Sequence, residues 1–101
     1  MKASFTAAGV SPSFFPTDPG NHFQMQAWHL YISGTMGAAG SLQVQYSPDG
    51  SNVSDAAARW FAPAALQAGS MGDTWFQARF RRLRFVFTGG DGTTNLVAEV
   101  V

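Results

Sequence analysis

The oxygen-rich stretch LQVQYSPDGSN, Leu42 to Asn52, is the clearest candidate for metal chemistry in this chain. Asp49 and Asn52, with Asp55 shortly after them, carry the carboxylate and amide oxygens that a hard cation such as calcium prefers. The set lacks the later bidentate Glu and most of the alternating ligands of an EF-hand. Backbone preference explains Ser-Pro-Asp-Gly equally well, because Pro fixes φ, Asp bonds the nearby backbone and Gly accepts a positive φ. The sequence therefore predicts a strand-connecting turn without a metal.

Catalytic machinery cannot be assembled from the other titratable residues. His22 and His29 lie on one predicted strand with a spacing that puts them on opposite faces unless a bulge intervenes. The six acidic residues are scattered through turns, and no two of them suggest a general acid with its base. The chain has no Cys, and the glycine-rich GGDG, Gly89 to Gly92, lacks the Lys of a phosphate-binding loop. We expect no enzyme activity, no catalytic residue and no cofactor.

Four of the six basic residues form a cluster near the end of the chain, Arg79, Arg81, Arg82 and Arg84. Nucleic-acid binding would also require a net positive field, whereas the formal net charge is zero. The cluster is either a solvated strand face or a protein interface, where Arg pairs with carboxylates and stacks on aromatic rings. We predict an interface that also uses Phe14 and Phe15, an adjacent pair in a proline-rich loop.

The three Trp residues, Trp28, Trp60 and Trp75, leave a second function open. An exposed Trp can serve as a stacking platform for carbohydrate, whereas most Trp side chains in a domain of this size belong to the core. We expect Trp60 and Phe61 in the core. The alternative function is a module that binds a glycan or another receptor.

Length and composition indicate one globular domain. The chain has 101 residues, of which 46% are hydrophobic and 14% aromatic, enough to form a single two-layer core. Its neutrality favours association between copies. The N-terminal residues MKASFTAAGV contain no sustained apolar stretch, so we expect neither a signal peptide nor membrane binding, and a product that is made in the cytoplasm.

Period-two alternation predicts an all-β fold, an antiparallel β-sandwich or jelly-roll-like domain. The two strongest runs of alternation should face one shared core, and they comprise Leu42, Val44, Tyr46, Leu83, Phe85 and Phe87. The candidate strand His22 to Ser33 changes phase near Ala27, which indicates either a bulge or a strand covered on both faces.

The other segments are read from their turn and helix signals. Lys2 to Ala8 is a possible edge strand, and Thr74 to Phe80 a further strand. Ser33 to Ser41 and Thr88 to Asn95 are read as hairpin loops. Pro63 limits Ser54 to Ala68 to one helical turn. We divide the chain into an N-terminal arm with a proline-rich loop, residues 1–21, and a β-sandwich, residues 22–101.

Two segments carry a resemblance to a known group of proteins. ISGTMGAAGSLQVQYSPDGSN, Ile32 to Asn52, and RFRRLRFVFTGGDGTTNLVAEV, Arg79 to Val100, resemble small β-sandwich structural proteins of tailed bacteriophages. Those proteins pair an early hairpin of the first pattern with a late hairpin of the second. They often carry a Trp soon after SPDG, whereas Trp60 comes later in this chain.

The resemblance implies a virion component without catalysis, most often a protein that decorates or cements the capsid and sometimes a tail protein. We therefore expect a bacteriophage decoration protein that stabilises the head shell, made in the host cytoplasm and located in the virion. Its expected partners are the major capsid protein or other virion proteins, and copies of itself. A trimer is favoured, because decoration proteins often occupy three-fold positions.

Overall fold

The computed structural model describes residues 1–16, 26–68 and 72–101 of the chain. Within these ranges the only helical segment is a short 3₁₀ helix, Ala64–Leu66, which follows Pro63. The remaining regular structure consists of eight strands: β1 (Lys2–Phe5), β2 (Gly9–Val10), β3 (Gln26–Thr35), β4 (Ser41–Ser47), β5 (Gln67–Ala68), β6 (Gly72–Ala78), β7 (Arg82–Thr88) and β8 (Asn95–Val100).

The strands form two four-stranded antiparallel sheets. The first sheet has the order β1-β8-β3-β6 and the second the order β2-β7-β4-β5. The first strand pairs with the eighth, the second with the seventh, the third with the sixth and the fourth with the fifth. The chain is thus one long antiparallel ribbon wrapped into two sheets, which is the topology of an eight-stranded jelly roll. The predicted all-β sandwich is confirmed.

The hydrophobic core lies between the two sheets and follows the alternation in sequence. The two runs predicted to share a core pair directly, with Leu42 opposite Phe87, Val44 opposite Phe85 and Tyr46 opposite Leu83. Five of these side chains are buried, and Tyr46 is half-buried against the same core. The first sheet contributes a buried set from β3 and β8, namely Leu30, Ile32, Leu96, Ala98 and Val100. The predicted shared face is confirmed.

Strand β3 alternates regularly where the structure describes it. Leu30 and Ile32 are buried, while His29 and Tyr31 lie on the outer face of the first sheet. The predicted change of phase rests on Phe23 and Met25, which lie outside the described residues, and on Ala27, which is exposed.

Both predicted hairpins are wrong. The segment after β3 leads from the first sheet to the second, and the segment after β7 leads from the second sheet back to the first. Gly89 in the second crossing adopts positive φ, and a Cβ there would collide with the carbonyl oxygen of Ala39 in the first crossing. Glycine is required at this position because the two crossings pack against each other, whereas a hairpin would pair the strands that it connects.

The described part of the predicted N-terminal arm belongs to the sandwich. The predicted edge strand at the start of the chain is confirmed, because β1 pairs with β8 at one edge of the first sheet. β2 pairs with β7 in the second sheet, and Phe14 exchanges two backbone hydrogen bonds with Leu83 further along the same strand. Residues 1–16 therefore form one edge of each sheet.

Candidate functional site

The outer face of the second sheet is covered by the long connection that follows β4. Arg82 on β7 points into this connection and is 1% exposed. Its Nε donates to the carbonyl oxygen of Asp49 at 3.0 Å, and its Nη1 donates to Oδ1 of Asp55 at 2.7 Å. Its Nη2 donates to the carbonyl oxygens of Gly50 and Val53. These contacts, here called the Arg82 network, satisfy a buried charge, which is costly to leave without partners.

A second arginine, Arg59, lies in the same connection and binds Asp49. The Arg59 guanidinium donates from Nη2 to Oδ1 of Asp49 at 3.0 Å and from Nε to Oδ2 at 3.3 Å. The backbone N–H of Arg59 also donates to Oδ2 at 2.7 Å. Asp49 thus joins the start of the connection to a point ten residues later in the chain.

These contacts change the ionisation of both carboxyl groups. Hydrogen bonds from the Arg59 side chain and backbone lower the pKa of Asp49 to about 2. The pKa of Asp55 is lowered first by the Ser13 hydroxyl, which donates to Oδ1 at 2.6 Å, and then by Arg82. Both carboxyl groups remain ionised at neutral pH and keep their hydrogen bonds to Arg59 and Arg82.

Aromatic rings complete the cover over the arginines. The Arg84 guanidinium carbon lies 3.9 Å from the centroid of Trp60, and that of Arg82 lies 4.9 Å from the centroid of Phe15. The prediction of Trp60 and Phe61 in the core is wrong, because Trp60 is half-buried over Arg84 and Phe61 is 51% exposed. Trp60 lies over the outer face of the second sheet, and Phe61 pairs with Tyr46 at the edge of that sheet, with ring centroids 6.4 Å apart.

The calcium alternative competes with this network for its ligands. Both carboxylates that would bind the cation already accept hydrogen bonds from arginines. The hydrogen-bonded turn lies at Gly50 to Val53, where the backbone N–H of Val53 donates to the carbonyl oxygen of Gly50 at 3.1 Å. Gly50 has no positive φ. The tolerance of Gly50 for a positive φ is therefore not used, because the turn lies at Gly50 to Val53 and the chain continues into a long connection.

The six residues predicted to bind a partner fall into two groups, three engaged within the chain and three exposed. Phe14 packs edge-on against Phe85, with ring centroids 6.0 Å apart, and Arg82 and Arg84 bind within the chain. Phe15 is 43% exposed, and Arg79 and Arg81 are exposed. Partner binding stays a prediction, and only these last three side chains offer substantial exposed surface for it.

A second group of side chains lies on the outer face of the first sheet, on β3 and β6. His29 is paired with Trp75 and Tyr31 with Asp73 across the two strands. The His29 and Tyr31 rings stack with centroids 4.9 Å apart, and His29 Nε2 lies 3.0 Å from Oδ1 of Asp73. Trp75 is 64% exposed and Tyr31 is 40% exposed. We call these four residues the aromatic face.

The sequence contained a signal for the aromatic face that was not used. Tyr31 and His29 share one parity of β3, and Asp73 and Trp75 share one parity of β6. That the two strands are neighbours could not be read from the sequence, because they are far apart in the chain. Ser13 and Arg59 were missed in the same way, since their partners Asp55 and Asp49 depend on how the long connection folds.

In the described ranges, no group of three or more His, Asp or Glu side chains could hold a metal ion. In the same ranges, no helix is long and apolar enough to cross a membrane. An open groove of about 500 Å³ runs along residues 2–12, and Lys2 is the one charged side chain in its lining.

Comparisons of the chain with protein families, with curated proteins and with solved structures found no match.

Proposed function

We propose that the protein is a non-catalytic structural component of a bacteriophage virion, of the kind that decorates or cements the head shell. The observation that carries the proposal is the contrast between the two outer sheet faces. One is closed by the Arg82 network, and the other presents the exposed aromatic face as a broad contact surface. Aromatic residues are enriched at protein interfaces.

The assignment to a virion has two supports. The segments 32–52 and 79–100 resemble those of small phage structural proteins, and the jelly-roll topology recurs in viral capsid domains. The second support is an analogy of fold alone. In this proposal the protein is made in the host cytoplasm, is incorporated into the virion, and binds the major capsid protein or another virion protein. It also associates with copies of itself, and the number three rests on the resemblance.

Catalysis and nucleic-acid binding fit the site less well. The carboxylates of Asp49 and Asp55 are engaged by arginines, so neither is positioned as a general acid or base. Two of the four clustered arginines direct their guanidinium groups into the chain's own contacts, which reduces the positive surface available to phosphates.

Cryo-electron microscopy of purified particles tests the proposal. We expect density for an eight-stranded sandwich at regular positions on the particle, with the first sheet turned towards a neighbour. Particles that carry Trp75→Ala should show reduced occupancy. Phe61→Ala is the matched control, because it also removes an exposed aromatic ring but lies away from the aromatic face. Absence of the protein from particles, or loss of the Phe61 variant with retention of the Trp75 variant, would contradict the proposal.

A second candidate function is supported by the exposure of Trp75. A flat ring that is 64% exposed, beside the stacked His29 and Tyr31 and the carboxylate of Asp73, has the groups that bind a pyranose. Rings stack on the C–H face of a sugar, and a carboxylate accepts hydrogen bonds from its hydroxyls. Jelly rolls also occur among lectin domains.

A glycan array with the wild-type protein and Trp75→Ala separates the two candidates. Binding that is saturable and lost in the variant would favour a glycan-binding module at a tail. A protein that binds no glycan but is found on the head shell would favour the decoration role. Trp60→Ala is the control, because that ring is engaged with Arg84.

A further inference from the structure

The two sheets differ in how their outer edges are protected. β2 and β5 at the edges of the second sheet are two residues long, and β1 at one edge of the first sheet has four residues and begins with Lys2. β6 at the other edge has seven residues, GDTWFQA, with no Lys, Arg or Pro. Among the described strands, β6 pairs with β3 alone. Short strands, charged side chains and Pro are the usual protections against edge-to-edge pairing, and β6 has only one charge, Asp73.

We propose that β6 pairs antiparallel with β6 of a second copy of this chain, across a two-fold axis at Trp75. This is the one symmetric register that pairs all seven residues of the strand. It places Trp75 opposite its counterpart and Asp73 opposite the second copy's Gln77, so that no like charges face each other. A register shifted to put Asp73 opposite itself would oppose two carboxylates and shorten the ladder, which is unfavourable.

The side chains of β6 suit this contact. Asp73, Trp75 and Gln77 are all exposed on the same side of the strand. An aromatic pair across two strands is stabilising, and a carboxylate opposite an amide can accept a hydrogen bond. Zero formal net charge leaves little general repulsion between copies.

Pairing would join the two first sheets into one eight-stranded sheet and bring both aromatic faces to the same side. The contact is isologous, so it joins copies in pairs, which distinguishes it from the trimer that the resemblance suggests. The inference specifies the contact through which copies of the chain associate, and it rests on the self-association in the proposed function. It does not depend on where the assembly is located.

Sedimentation velocity over a concentration series tests the contact in the full chain. We expect a dimer or an even multiple for the wild-type protein. Gln77→Asp places a carboxylate opposite Asp73 of the other copy at two positions across the axis. It should raise the dissociation constant by roughly twofold to thirtyfold, from the size of cross-strand pair energies. Gln77→Lys creates two opposite-charge pairs with Asp73 and should lower the dissociation constant by a similar factor.

Two further variants make the test specific to the register. The double variant Asp73→Gln with Gln77→Asp exchanges the two partners and should restore affinity to near the wild-type value. Ser4→Asp adds the same charge to β1, at the opposite edge of the same sheet, and should leave the dissociation constant unchanged. Thermal melts of each variant establish that it is folded.

A wild-type protein that is monomeric or trimeric at all concentrations would overturn the proposed contact. So would equal effects of Asp and Lys at position 77, or a Ser4→Asp effect as large as that of Gln77→Asp. The two proposals fail separately: a Gln77-dependent dimer absent from particles would contradict the virion function alone, and a particle-bound monomer would contradict the edge contact alone.

Discussion

Alternation along the strands points side chains outwards from both sheets, but the outward arginines of the second sheet are covered and the outward rings of Tyr31 and Trp75 in the first are exposed. In the second sheet, β7 places Arg82 and Arg84 outwards, and the connection after β4 returns over them. In the first sheet, β3 and β6 place Tyr31 and Trp75 outwards, and these rings remain 40% and 64% exposed.

The difference shows that outward alternation does not by itself identify a working surface. A buried guanidinium is tolerated at Arg82 because three carbonyl oxygens and one carboxylate accept its hydrogens. The same arginine would have been a plausible interface residue if the connection had folded elsewhere. Among the described residues, none covers the aromatic face in this way, and the proposed contact role is placed there for that reason.

The largest expected effect comes from removing the centre of the covered face. Arg82→Met should lower the free energy of unfolding by about 3 to 5 kcal/mol, because the carbonyl oxygens of Asp49, Gly50 and Val53 lose their donor at about 1 to 3 kcal/mol each. Urea unfolding measures the change. Arg59→Met is the matched control, because its side chain is 70% exposed and the loss should be much smaller. Equal losses in the two variants would show that burial of Arg82 is not what stabilises the connection.

The core under both faces should respond as strongly. Phe85→Ala removes a ring that is fully buried between the sheets, with an expected cost of about 3 to 5 kcal/mol. That is close to the whole stability of a small domain. Thermal melting of this variant at the wild-type temperature would contradict the assignment of the core.

An intermediate effect is expected at the crossings between the sheets. Gly89→Ala forces a Cβ against the Ala39 carbonyl at a residue with φ of 72°, and should cost roughly 1 to 3 kcal/mol. Gly92→Ala is the control, because nothing lies within 4 Å of its added Cβ. A Gly89 variant as stable as the Gly92 variant would mean that the crossings do not pack as described.

Acid should loosen the covered face through Asp55. Its pKa is lower in the folded chain than the ordinary 3.8, so the unfolded chain binds the proton more tightly. The contribution to stability is therefore complete above about pH 4 and is lost as the pH falls through the folded pKa. Ser13→Ala removes the largest cause and should raise the pKa of Asp55, which NMR titration of its carboxyl carbon measures. An unchanged pKa would contradict the role of Ser13.

The smallest effect on stability is expected at the open face. Trp75→Ala should change the free energy of unfolding by no more than about 0.5 kcal/mol, because the ring is mostly in solvent. Denaturant unfolding of dilute protein measures this without self-association. A loss of several kcal/mol would indicate that the aromatic face is part of the fold and has no separate contact role.

Local patterns in the sequence predicted the core but not the relation between strands. The alternation from Leu42 to Tyr46 and from Leu83 to Phe87 was sufficient to predict one shared face, because period two is a local property of a strand. The glycine-rich crossings looked like hairpin loops, since a turn residue does not reveal which sheet the next strand joins. Arg82 could not be recognised as buried, because its partners lie in a connection without regular structure.

Hydroxyl-radical footprinting of purified particles and of the dilute isolated chain tests whether the aromatic face is the contact surface. Trp75 and Tyr31 should lose labelling in the particle, while Phe61, which is 51% exposed beside Tyr46 at the edge of the second sheet, should be labelled equally in both. Equal labelling of Trp75 in the two samples, with protection of Phe61 in its place, would contradict this contact role.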